Sequence, residues 1–151
     1  ITAIKKRMSV QSIGPDKINQ LRHMKFFVNL DGLLEQMKKH ADIIRPKFEA
    51  VEKTLTQQFG DSGIATWSKP NGGYFVSLNV LDGCAKKTVK LAKEAGVTLT
   101  KAGATYPYGN DPKDSNIRIA PTSPTVEELT EAMKVLACSA RLAAVNKLLE
   151  G

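Results

Sequence analysis

The chain predicts an α/β (α+β) two-layer sandwich: a small, mostly antiparallel sheet covered on one face by helices and preceded by a long bent helix. Three observations carry that expectation. From Tyr74 onward apolar residues recur at every second position (Tyr74, Val76, Leu78, Val80), with Phe75, Ser77 and Asn79 facing the other way, which is the period of a half-buried strand. The set Leu34, Met37, Ala41, Ile44, Phe48, Val51, Leu55 steps by threes and fours, the period of an amphipathic helix. Ile117-Arg118-Ile119 puts two isoleucines on one face of a further strand and Arg118 on the other.

In chain order, the sequence opens with Ile1-Thr2-Ala3-Ile4-Lys5-Lys6-Arg7 and no initiator Met, so it is expected to be a fragment whose natural start lies upstream. Ser9 to Pro15 reads as a loop punctuated by Gly14-Pro15, and Pro15-Asp16 suits the start of a short helix carrying Ile18, Leu21, Met24, Phe26 and Val28. Asp31 is the expected N-cap of the long helix. Pro46 lies inside that helix, where it offers no N–H to the carbonyl of Asp42, so a bend and a domain junction are expected there. Gly60-Asp61-Ser62-Gly63 ends the helix and leads into a hairpin, Ile64–Trp67 against Tyr74–Val80, reversed by Pro70 and the glycine pair Gly72-Gly73.

Residues 84–95 form the next expected helix, with Gly96 ending it. Val97-Thr98-Leu99-Thr100 reads as a short strand, and Lys101 to Ser115 as a long loop holding Tyr106 and Tyr108, of a length more often used for binding than for simple connection. After the strand at Asn116–Pro121, Ser123 is the expected cap, with Pro124 first in a last helix on the stripe Val126, Leu129, Met133, Leu136, Ala140, Ala143.

Composition narrows the classes of function. With 42% hydrophobic residues in 151, the chain can build one core with appended segments. No apolar run approaches the roughly 20 residues of a membrane span, and the N-terminus has no signal-peptide pattern, which makes a cytoplasmic setting the expectation. Cys84 and Cys138 stand singly, without CxxC or a histidine at metal spacing, so two buried thiols and no metal are expected. The net charge of +7 is spread over helix faces interleaved with Glu and Asp, the pattern of solvated surfaces, so no nucleic-acid partner is expected.

An ordered series of motifs resembles a known family. Pro70-x-Gly72-Gly73-Tyr74-Phe75, Ala92-Lys93-Glu94-Ala95-Gly96-Val97, an irregular Gly/Tyr loop, Ile117-Arg118-Ile119 and a helix opening Thr125-Val126-Glu127-Glu128-Leu129 resemble the C-terminal domain of class I/II aminotransferases, fold type I of the pyridoxal-phosphate enzymes. The resemblance covers roughly residues 30–149. The stretches 16–23 and 40–48 resemble a bacterial subgroup of aspartate or alanine–glyoxylate type, related to the MocR-like set.

That resemblance implies transfer of an amino group between an amino acid and a 2-oxo acid, in a homodimer. Arg118 matches the arginine that grips the substrate α-carboxylate, a task suited to a bidentate guanidinium fork. Gly73 and Tyr74-Phe75 match the strand that approaches substrate. Arg7 lies near a segment that reaches toward the neighbouring subunit's site, where it would meet a distal substrate carboxylate. In the family the cofactor, pyridoxal 5'-phosphate, is held by a lysine, commonly in Ser-x-x-Lys, on an upstream domain. No Ser-x-x-Lys occurs here, so the chain is expected to be inactive alone. The implied division is 1–30 as the end of the large domain and dimer-contact region, 31–58 as an interdomain helix, and 59–151 as the small domain. The rival expectation is a non-catalytic regulatory or ligand-binding domain of a MocR-like protein.

Overall fold

The computed structural model describes residues 1–12 and 16–150 and divides into two units, Ile1–Asp42 and Ile43–Gly151. Helix α1 (Thr2–Gln11) opens the first unit. Ser9, Val10 and Gln11 therefore belong to a helix and not to the expected loop, with the Ser9 hydroxyl donating back to the carbonyl of Lys6 at 2.8 Å. Gly14 and Pro15, expected to punctuate that loop, lie outside the described residues. Helix α2 (Lys17–Phe27) starts where Asp16 accepts the backbone N–H of Asn19 at 2.9 Å, an N-cap bond. It stops at Val28, whose φ of 63° leaves the right-handed helical region. Neither helix buries a residue, so the apolar positions read from the sequence stand exposed.

Helix α3 (Leu30–Phe59) is continuous through Pro46. Its cap is Asn29, whose side-chain oxygen accepts the N–H of Gly32 at 3.0 Å. Asp31, expected in that role, instead sits in the first turn, where a carboxylate still favours the positive helix end. The last turns of α3 bury Val51, Leu55 and Phe59, and Gly60 ends the helix at φ 45°.

In the second unit, strands β1 (Ala65–Trp67), β2 (Val76–Val80) and β3 (Asn116–Ile119) form one antiparallel sheet in that order. β1 pairs with β2 through Ala65↔Val80 and Trp67↔Leu78, and β2 with β3 through Val76↔Ile119, Ser77↔Arg118, Leu78↔Ile117 and Asn79↔Asn116. The expected alternation begins two residues late: Tyr74 is exposed and precedes the strand, because the reversal extends to Phe75. Ser68 closes the ladder, donating its N–H to Ser77 O and accepting Ser77 N–H on its hydroxyl, both at 2.9 Å.

Helix α4 (Ala85–Glu94) ends in a double bond pattern. The N–H of Gly96 donates to Lys93 O and that of Val97 to Ala92 O, with Gly96 at φ 92°, which is the glycine-dependent Schellman closure. That closure engages the N–H of Val97, and Val97–Thr100 forms no strand, contrary to expectation. Helix α5 (Val126–Glu150) is capped by Thr125, not by Ser123 with Pro124 in first place. Thr125 Oγ1 accepts Glu128 N–H at 3.2 Å and Glu128 Oε2 accepts Thr125 N–H at 2.9 Å, a reciprocal capping box.

One hydrophobic core joins these parts. Val51, Leu55 and Phe59 of α3, Val76, Leu78 and Val80 of β2, Ile117 and Ile119 of β3, and Leu129, Met133 and Leu136 of α5 pack together, with Cys84 buried among them. Cys138, expected to be buried as well, is exposed on α5. The fold is thus a helix layer on one face of a three-stranded antiparallel sheet, with the strand residues of opposite parity left on the other face.

Candidate functional site

Strand parity builds the site. Because Ile117 and Ile119 point into the core, Asn116 and Arg118 project from the opposite, outer face, beside Ser77 and Asn79 of β2. Asn116 is almost fully buried there and ties the face together. Its Nδ2 donates to Ser77 Oγ at 2.9 Å and Asn79 Oδ1 at 2.8 Å, while its Oδ1 accepts from Thr105 Oγ1 at 2.6 Å.

Arg118 is half-buried and makes no such bonds among the described residues. Its guanidinium carbon lies 4.5 Å from the centroid of the Phe75 ring, and its Nε is buried with no acceptor among those residues. Among the described residues no carboxylate stands within ion-pair distance of it. A cation lying on an aromatic face, with its in-plane N–H groups unengaged, can receive a carboxylate on two parallel hydrogen bonds.

The loop from Lys101 to Ser115 is held against this face. Asp111 accepts the backbone N–H groups of Lys113, Ser115 and Asn116 at 3.0, 2.8 and 2.8 Å. Burial pushes the Asp111 carboxyl up, but those donors and the N–H of Asp114 outweigh it and hold the group below the usual carboxylate range. Gly103 is required where the loop closes: at φ 75°, a Cβ there would come 2.9 Å from Gly109 O. The segment contains one short 3-10 turn at Pro107–Gly109, and Tyr108 projects fully into solvent at φ 58°.

Of the residues singled out from the sequence, Arg118 lies on the outer face. Gly73, at φ 89°, forms the reversal leading to Phe75, and Tyr74 is exposed beside it. Arg7 is on an exposed position of α1, in the first unit. The sequence reading took Phe75 with Tyr74 as part of the strand approaching substrate but did not connect its ring to Arg118, and it gave Asn116 no role. Phe75 had a visible signal, its parity with Ser77 and Asn79; the bonds of Asn116 depend on the distant Thr105 and had none.

This α+β fold matches that of aminotransferase C-terminal domains, and the chain belongs to the aspartate aminotransferase family, whose model matches residues 1–151. It is 51% identical over 144 residues to an aminotransferase of Mycolicibacterium smegmatis, covering 95% of this chain and 34% of that protein. It is 45% identical over 137 residues to an aspartate aminotransferase of Corynebacterium glutamicum, covering 91% and 32%. The solved structure of an aspartate transaminase from that organism superposes with a TM-score of 0.86 at 43% identity, over 94% of this chain and 34% of that one. The chain therefore spans about a third of the length of these relatives.

The residues of the outer face do not fit the cofactor expected for such a family. The face offers a guanidinium, amides and hydroxyls, and its strand positions carry no lysine to bond the aldehyde carbon. It suits a small carboxylate.

Proposed function

We propose that this chain is the small C-terminal domain of a pyridoxal-phosphate-dependent aminotransferase, and that Arg118 binds the α-carboxylate of the amino acid and 2-oxo acid substrates. The observation that carries the reading is a half-buried guanidinium with no acidic partner among the described residues. Burying a charge part-way without a counter-ion is unfavourable unless a ligand supplies one.

The remaining assignments follow from the same reading. The cofactor and its lysine lie on the rest of the enzyme, so the chain alone is inactive. Residues 1–30 end the large domain and contact the second subunit of a cytoplasmic homodimer, residues 31–58 link the domains, and residues 59–151 close over substrate. Support for covering partners comes from α1 and α2, which leave Ile4, Met8, Leu21, Met24 and Phe26 exposed, more apolar surface than a helix pair keeps in water. Closure about Pro46 excludes water from the site, Gly73 and Tyr74 border it, and Arg7 meets a distal carboxylate from across the dimer.

The test is kinetic. Arg118→Ala in the complete enzyme is expected to lower kcat/KM for amino transfer from L-aspartate by about 2–4 kcal/mol, the scale of a broken buried charge pair. Unchanged kcat/KM would remove Arg118 from the site.

A further inference from the structure

We propose that Phe75 is the positioning residue for Arg118, holding the guanidinium from its π face so that its in-plane N–H groups are not taken up by protein acceptors and its terminal pair can meet a carboxylate. This rests on the carboxylate-binding reading of Arg118.

A half-buried guanidinium can be stabilised within its plane, by acids and carbonyls, or from above, by a ring. An acid in the plane occupies the two parallel N–H groups that a substrate carboxylate needs. A ring leaves them open. This protein uses the ring. Phe75 lies 4.5 Å from the guanidinium carbon, no carboxylate among the described residues is in reach, and even Nε lacks an acceptor. The nearby polar groups are engaged with one another: the Asn116 carboxamide takes Thr105, Ser77 and Asn79 as partners.

Two further facts argue that Phe75 is placed for this task. It is 47% exposed and outside the hydrophobic core, so core packing does not account for it. Its site is also fixed by backbone: Gly73 at φ 89° turns the chain, and the paired Ser68–Ser77 bonds anchor the strand two residues on. Phe75 shares the parity of Ser77, which pairs with Arg118, so the ring reaches the guanidinium diagonally across two strands.

The test uses the complete enzyme, with L-aspartate as probe, in Phe75→Leu, Phe75→Tyr, Arg118→Ala and the Phe75→Leu/Arg118→Ala pair. Phe75→Leu keeps an apolar side chain and removes the π face. It is expected to raise KM about five- to tenfold while changing kcat little, with an unchanged melting midpoint. Phe75→Tyr, which retains a ring, should bring KM back toward the wild-type value, and Phe75→Leu should add no further loss once Arg118 is alanine. Should Phe75→Leu misfold, Phe75→Met serves in its place.

A wild-type KM in Phe75→Leu, an equal defect in Phe75→Tyr, or full additivity in the double variant would each overturn the proposal. The two readings separate cleanly. If Arg118→Ala is impaired and Phe75→Leu is not, only the role of Phe75 falls; if Arg118→Ala is normal, the carboxylate site falls and the role of Phe75 with it.

Discussion

Three side chains show how single residues shape this molecule. Arg118 was legible as a candidate because its isoleucine neighbours fix its face, and strand parity needs no knowledge of the rest of the fold. Its stacking on Phe75 was not, because a contact between two strands depends on register. Asp111 organises the loop beside it. Replacing it with alanine removes the acceptor of three backbone N–H groups and is expected to cost about 1–3 kcal/mol, read as a lower midpoint in urea. Its carboxyl sits below its unfolded-chain value, so it favours the folded state above about pH 4 and loses that contribution as pH falls through the folded value. Asp111→Asn should therefore flatten the decline of stability in acid, which a series of melts from pH 6 to pH 3 measures. Thr88 makes the opposite case. Its hydroxyl is buried on α4 with no partner among the described residues, so Thr88→Val should leave stability unchanged or raise it by about 1 kcal/mol, and a clear loss would reveal a partner.

At the scale of elements, periodicity located α3, α4 and α5 and strands β2 and β3 but not α1, while the ends were decided by local hydrogen bonds. Val97–Thr100 has the composition of a strand, yet the closure of α4 at Gly96 engages the Val97 N–H. Gly96→Ala forces a side chain into φ 92° and is expected to destabilise the unit by about 1–2 kcal/mol in thermal melts. The start of α5 was misplaced by two residues because Pro124 is a familiar first helical residue. Thr125-Val126-Glu127-Glu128 is itself a capping-box pattern, and that signal was present in the sequence. Thr125→Ala should cost about 1 kcal/mol and lower the melting midpoint by roughly 2–4 °C.

At the scale of the whole chain, the helix-on-sheet layering followed from the order of elements, and the family from an ordered series of short motifs. The apolar surfaces of α1 and α2 could not be placed from sequence, since periodicity identifies an apolar face without saying what covers it. Among the described residues no helix is long and apolar enough to cross a membrane, and no three His, Cys, Asp or Glu are grouped to hold a metal ion. Among the strand residues of the second unit's sheet, Arg118 is the one cation, and it stands on the outer face. The most direct measurement compares binding of L-aspartate with that of isoasparagine, its α-carboxamide, in the complete wild-type enzyme and in Arg118→Ala. The account predicts that the wild type prefers the carboxylate at least tenfold, and that the preference disappears in Arg118→Ala. An Arg118→Ala enzyme that still prefers the carboxylate by the same ratio would contradict it.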